Sequence, residues 1–506
     1  MKTTTEQMTH ADRLRNDEAY TSALKTLVEK IRTHSAHIRA VRGPTAGEAT
    51  VRFDRLKELA ADVRGRPLLY PYIGSGLGNG PYVELIDGSV KLDMITGIGV
   101  NFFGHSDAEL AAEALAAASS DVVLQGNLMM NEEALRFAET LLTNAKAAGA
   151  NMSSAFLCTG GALANEHTLK VCFQKNAPEA CRLIAFAGCF MGRTWAMAQI
   201  GDSAGGREGL PLNVLVDYMP FFDPAAARRM SAGDVSGTTR FIDMALWHLE
   251  QLFARYPKQH ACFVFELVQG EGGFNTAPTE YHRELMQACK AHGVGVWDDE
   301  VQTFGRTESL FACEAAGVAD LCDVITVGKM SQVCAVLMSD AYEPKPGLLS
   351  GTFLGSSAGL RVGRRIIERL ASGGYYGPDG SINAHHQRFR EGVHALIDQH
   401  PDWFPEHHRV TELASGVGGM CRFTPFAGDK AAIMKLCNVL FDEGVIAFYC
   451  GHDPFHVRFL PPLGVMQIGV WDEVFEIVEK AMSRVASEIE LPQPPEPRPM
   501  RKPLSV

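Results

Sequence analysis

The chain has 506 residues, 46% of them hydrophobic and 21% charged, which is ordinary for a globular protein with more than one core. A formal net charge of −12 argues against a nucleic-acid partner, which usually leaves a basic footprint. The amino terminus is polar, no uncharged apolar run approaches the ~20 residues that span a bilayer, and the twelve cysteines contain no C-x-x-C pair, so the expected compartment is the cytoplasm.

Residues 1–67 are charged, with apolar positions at helical spacing, and predict a helical arm. Residues 68–105 predict short strands split by a glycine-rich stretch at 74–80. That stretch fits neither G-x-G-x-x-G nor a P-loop, and reads as a hairpin or loop. From 106 to 350 a helical start gives way to alternation: strands at 154–158, 182–187, 212–217, 261–267, 293–298, 323–328 and 333–338, with helices at 162–175, 239–256 and 279–292. Such alternation predicts an α/β unit with a mostly parallel central sheet and helices on both faces. Residues 351–490 predict a smaller α+β unit, with helices at 357–372, 383–399, 429–443 and 472–487 and strands near 417–424, 445–449 and 456–460. A proline-rich tail follows over 491–506.

Two of these strands end in chemistry. Trp-Asp-Asp-Glu-Val-Gln at 297–302 delivers Asp299, and Asp-Val-Ile-Thr-Val-Gly-Lys at 323–329 delivers Lys329. Ligands of open α/β sheets sit outside the carboxyl ends of strands, so an acid and a lysine face one crevice. Pyridoxal 5'-phosphate (PLP) needs that pair: a lysine forms its Schiff base, and a carboxylate holds its pyridine nitrogen protonated. An apolar setting on both sides of Lys329 lowers its pKa, as an attacking amine requires. Gln302 is placed to meet the ring hydroxyl. Thr-Gly-Gly-Ala-Leu-Ala at 159–164 joins a strand to a helix, and helix-start amides bind phosphate. Phe190 is a candidate for stacking on the ring, and Arg193 for clamping a substrate carboxylate. Glu271 follows a strand end, and Arg458 could meet it or a carboxylate. No metal site is expected.

In this order the motifs resemble the class III (ornithine/GABA/acetylornithine type) PLP-dependent aminotransferases of fold type I, over about residues 80–487. Locally, 327–336 and 160–164 are similar to lysine 6-aminotransferases. The resemblance implies that Lys329 is the Schiff-base lysine, Asp299 the partner of the ring nitrogen and Gln302 the ring-hydroxyl contact. It also implies that Gly161 and Ala162 form the phosphate turn, Phe190 stacks, and Thr352 reaches a neighbouring subunit's phosphate. The last role makes a homodimer with shared active sites, or a tetramer of such dimers, the expected assembly. It further implies that Arg193 grips a carboxylate and that Glu271 and Arg458 form a switchable pair. The expected reaction moves an ω-amino group from an amino acid such as lysine or ornithine to a 2-oxo acid, 2-oxoglutarate foremost. A decarboxylase or aminomutase on the same scaffold is the alternative. Departures cluster around substrate: Met191 replaces a usual histidine, Leu267 a usual proline, and the stretch after Gln302 lacks one glycine.

Overall fold

The computed structural model describes residues 8–120, 126–231 and 234–491. The first seven residues of the arm, and the proline-rich tail beyond Leu491, lie outside them. Seven strands form the main sheet, in the order Ser154–Cys158, Cys334–Met338, Val324–Val327, Gly295–Glu300, His260–Phe265, Arg182–Phe186 and Leu215–Met219. The last five pair in parallel. Cys334–Met338 runs the other way because the short turn from Lys329 cannot supply the dozen or more residues that a parallel crossover needs.

Every residue of His260–Phe265, Gly295–Glu300, Val324–Val327 and Cys334–Met338 is buried, the mark of a sheet covered on both faces. Alternate residues feed two cores. Phe263, Phe265, Val296, Ile325 and Leu337 enter one, and Cys262, Val264, Trp297, Val324 and Val336 the other. The expected mostly parallel α/β sheet is therefore present.

A second body forms from both ends of the chain. Gly74–Asn79, Tyr82–Leu85 and Val90–Asp93 make an antiparallel meander, and Val445–Ile446 adds to it in parallel with Val90–Asp93. Leu92 and Met94 share a core with Phe389, Phe423, Phe459 and Trp471. The helix Ser357–Ser372 instead puts Leu360, Ile366, Ile367 and Leu370 into the core of the main sheet, against Ala108–Ala118 and Glu132–Ala147. We therefore propose that the smaller unit begins after this helix rather than at 351.

Three strands differ from expectation, one of them the strand near 445–449, which is two, Val445–Ile446 and Phe448–Cys450, in different sheets. The strand expected at 212–217 runs from Leu215 to Met219, because the amides of Asn213 and Val214 donate to Gln199 Oε1 instead of to a ladder. The single strand expected near 417–424 is a hairpin, Ala414–Val417 with Met420–Phe423, turned by Gly418 at φ +54°.

The packing of the helix Ser357–Ser372 reaches the turn of Lys329 through Gly363. A Cβ at 363 would lie 2.1 Å from the Ser331 carbonyl oxygen, in the turn that carries Lys329. Gly363→Ala should therefore cost about 1–3 kcal/mol of stability, read from urea unfolding; a wild-type midpoint would contradict this packing.

Candidate active site

Register sets the site. Asp299 lies beside Thr326 and Glu300 beside Val327 in parallel strands, so both strands end at one sheet edge. Ser154–Cys158, His260–Phe265 and Arg182–Phe186 end at that edge too, leading to Gly161, Glu266 and Phe190. A small cleft opens there. Gly161, Ala162, Phe190, Glu271, Asp299, Gln302 and Lys329 all line it. Arg458 touches it through Glu271. Arg193 and Thr352 do not line the cleft and are exposed; the Arg193 guanidinium lies 5.4 Å from the centre of the Phe190 ring.

Strand alternation separates three consecutive acids. Asp299 points to the cleft, while Glu300 accepts from the amides of Ala312 and Cys313 at 2.8 and 2.9 Å. Asp299 accepts from Val301 N at 2.9 Å and from Asn165 Nδ2 at 2.8 Å. Burial raises its pKa, partly offset by these two donors and by the Lys329 charge. Lys329 sits at φ +47°, a conformation that side chains rarely adopt and that concentrates at functional sites. Burial lowers its pKa, against the pull of Glu271. Among the described residues its Nζ makes no hydrogen bond.

Arg458 is fully buried and grips Glu271 with both arms, Nη1 to Oε1 at 2.8 Å and Nη2 to Oε2 at 3.0 Å. Gln302 Nε2 donates to the same Oε1 at 3.2 Å. Burial alone would raise the Glu271 pKa, but the Arg458 charge and these hydrogen bonds bring it below the ordinary value.

Two lining residues have roles that sequence reasoning missed. Asn165 Nδ2 bridges Asp299 and the Met191 carbonyl. It stands four residues after Gly161, hence on the same helix face, which is a signal the sequence does carry. Glu266 accepts from Phe190 N at 2.8 Å and Gly270 N at 3.1 Å, so it pins the stacking candidate; nothing local in the sequence marks that long-range contact.

The family model for class-III aminotransferases matches residues 72–482. The chain belongs to that family. Among curated relatives, it is 27% identical to acetylornithine aminotransferase of Brucella melitensis over 76% of this chain and 87% of that one. It is 25% identical to diaminobutyrate–2-oxoglutarate transaminase of Nocardia farcinica, over 85% and 94%. In fold it is similar to lysine aminotransferase from M. tuberculosis, with a TM-score of 0.71 at 23% identity, covering 85% of this chain and all of that one. Ornithine aminotransferase from Toxoplasma gondii gives 0.68 at 20%, over 88% and 100%. The chain is thus a PLP-dependent aminotransferase of fold type I.

Its residues fit that cofactor. A Cβ on Gly161 would strike Val301 at 2.6 Å, whereas one on Gly160 would meet nothing within 4 Å, so the helix start is both close-packed and open toward a ligand. The Gly161 and Ala162 amides open that helix, where backbone donors lack intrahelical acceptors. An acid and a free amine complete the donor set.

Burial, then the Asp299 charge, pushes the Glu266 carboxyl from 4.5 up to about 8. Its contribution to stability is full below 4.5 and falls as pH rises toward 8, because the unfolded chain ionises first. In the PLP-free protein, Glu266→Gln should flatten the loss of unfolding free energy between pH 5 and 8. Parallel pH profiles for the two proteins would contradict this.

Proposed function

We propose that the enzyme moves the ω-amino group of an amino acid of the lysine or ornithine kind to 2-oxoglutarate in two half-reactions at the Lys329 cleft. The observation that carries this reading is the closed Glu271–Arg458 pair. Arg458 is the fully buried cation beside the cleft, and while Glu271 neutralises it a donor's α-carboxylate finds no free partner near Lys329. An amine with no adjacent carboxylate, an ω-amine, then fits best. The far carboxylate of the donor goes to Arg193, at the outer side of Phe190. A 2-oxo acid carries its carboxylate next to the reacting carbon, and that carboxylate competes with Glu271 for the guanidinium fork. The names of the acetylornithine, diaminobutyrate and lysine aminotransferases point the same way.

PLP supplies, when bound, an aldehyde that takes up amines and a ring that draws electrons from the carbon bearing nitrogen. The residues do the rest. Asp299, oriented by Asn165 and Val301 N, would hold the proton on the ring nitrogen. The Gly161 and Ala162 amides would hold the phosphate, Phe190 would pack on the ring, and Gln302 would meet the ring hydroxyl. Lys329 is the amine for the cofactor's aldehyde carbon. Burial disfavours its ammonium form, which leaves a neutral amine to take a proton from the donor's amine-bearing carbon and return one in the opposite half-reaction.

We place the enzyme in the cytoplasm as a homodimer whose Thr352 completes the partner's phosphate site. Support comes from the exposure of Thr352 and from apolar side chains beside it. Leu128 is 99% exposed, Met129 and Met130 are more than half exposed, and Phe353 is 45% exposed. All twelve cysteines are free, and no helix among the described residues is long and apolar enough to cross a membrane.

Steady-state rates with lysine or ornithine and 2-oxoglutarate should give parallel double-reciprocal lines. Intersecting lines, CO2 release, or turnover without an oxo acid would sink the reading and favour decarboxylase or aminomutase chemistry. Glu271→Ala should strengthen glutamate binding and weaken preference for the ω-amine, measured in single half-reactions. Both half-reactions unchanged would refute the switch.

A further inference from the structure

The hairpin that carries Glu271 has two sides. Val268 and Glu271 face the Lys329 cleft, while Gln269, Gly272 and Phe274 face a separate groove of about 700 Å3 between the two bodies. The two cavities share no lining residue.

Arg422 dominates the groove. It lies directly across from Arg458 in the antiparallel pair of Met420–Phe423 with His456–Phe459, so the two guanidinium groups start from one face of the small sheet. Arg458 has Glu271. Arg422 has only neutral acceptors: Ser415 Oγ at 2.8 Å from Nε, and Asn275 Oδ1 at 3.0 Å, His456 Nε2 at 3.1 Å and the Gly273 carbonyl, all from Nη1. Among the described residues no carboxylate pairs with it and Nη2 makes no hydrogen bond. His456 adds no charge of its own. Arginine can only donate, so His456 Nε2 accepts, and its Nδ1–H is left to donate to Thr424 Oγ1 at 2.7 Å. A cation in this setting, drawn partly out of water without a counter-ion, is costly, and such charges are normally paired.

The rest of the lining says what the counter-ion is. Phe221, Phe222 and Phe274 give the groove an aromatic wall. Its three acids are already engaged: Asp453 with Arg409 at 2.8 Å, Glu412 with Arg390 at 3.0 Å, and Asp223 with the Ala226 amide at 2.9 Å. Arg409, which also lines the groove, is taken up by Asp453, whereas the guanidinium fork of Arg422 has no acid and matches one carboxylate.

We propose that this groove is a second ligand site, which seats a small monocarboxylate on Arg422 with its aromatic or apolar body against Phe221, Phe222 and Phe274. The site stands on this geometry alone and not on the choice of transamination substrates. A carboxylate bound there competes with Gly273 for Arg422, and so touches the hairpin that carries Glu271.

The test is calorimetric titration of the PLP-loaded full chain, with its cofactor first capped by aminooxyacetate so that the Lys329 cleft takes no further carboxylate. Phenylacetate, acetate and inorganic phosphate are the probes. Phenylacetate should bind at one site per chain, and acetate and phosphate about tenfold or more weaker. Arg422→Gln should weaken phenylacetate by about tenfold or more. Ala226→Trp, which fills the groove from its helix and leaves Arg422 in place, should do the same and decides the matter if the Arg422 variant does not fold. No phenylacetate binding to the capped protein, binding unchanged in Ala226→Trp, or phosphate binding as tightly as phenylacetate would overturn the proposal.

Discussion

Parallel pairing of Gly295–Glu300 with Val324–Val327, in the register Asp299 to Thr326, is the constraint on which the cleft depends. A parallel sheet gathers the carboxyl ends of its strands at one edge, and side-chain direction has period two. A shift by one residue would turn Asp299 away and aim Asp298 or Glu300 at the cleft. The strands are buried on both faces, so their apolar residues hold the register against that shift. Lys329 follows in a turn too short for a crossover. This turn forces the next strand antiparallel and keeps Lys329 close to Asp299's edge.

Burying so many charges at one edge is expensive, and the arrangement lowers the cost pair by pair. Arg458 and Glu271 neutralise each other in a bidentate contact. Glu266 holds its proton to about 8 and so adds no second negative charge beside Asp299 through most of the neutral range. Asp299 keeps hydrogen-bond donors on both oxygens. Lys329 remains the unpaired amine, its ammonium disfavoured by burial. The edge is thus electrostatically poised for a group that brings an aldehyde, a basic ring nitrogen and a phosphate.

Much of this was legible in the sequence, for stateable reasons. Fully buried strands are apolar runs, so the central sheet stands out, and a polar residue at the end of such a run points to the edge. That is why Lys329, Asp299, Gly161, Phe190 and Gln302 could be named and do line one cleft. Long-range hydrogen bonds leave no local trace: Glu266 reaching back to Phe190, and Gln199 capping the amides before Leu215, were invisible. The hairpin at 414–423 was missed although Gly418-Gly419, the two residues between its strands, is a turn signal the sequence carries. Thr352 came from resemblance alone and Arg193 from its motif as well, and both lie outside the chain's own cleft, where a single chain's pattern has least to say.

The site is defined by which amine carries the cofactor. Borohydride reduction of the PLP-loaded protein, followed by peptide mass spectrometry, answers that directly. One reduced phosphopyridoxyl group should appear, on Lys329, and none in Lys329→Ala. A label on another lysine, or no label on protein that has bound PLP, would contradict this.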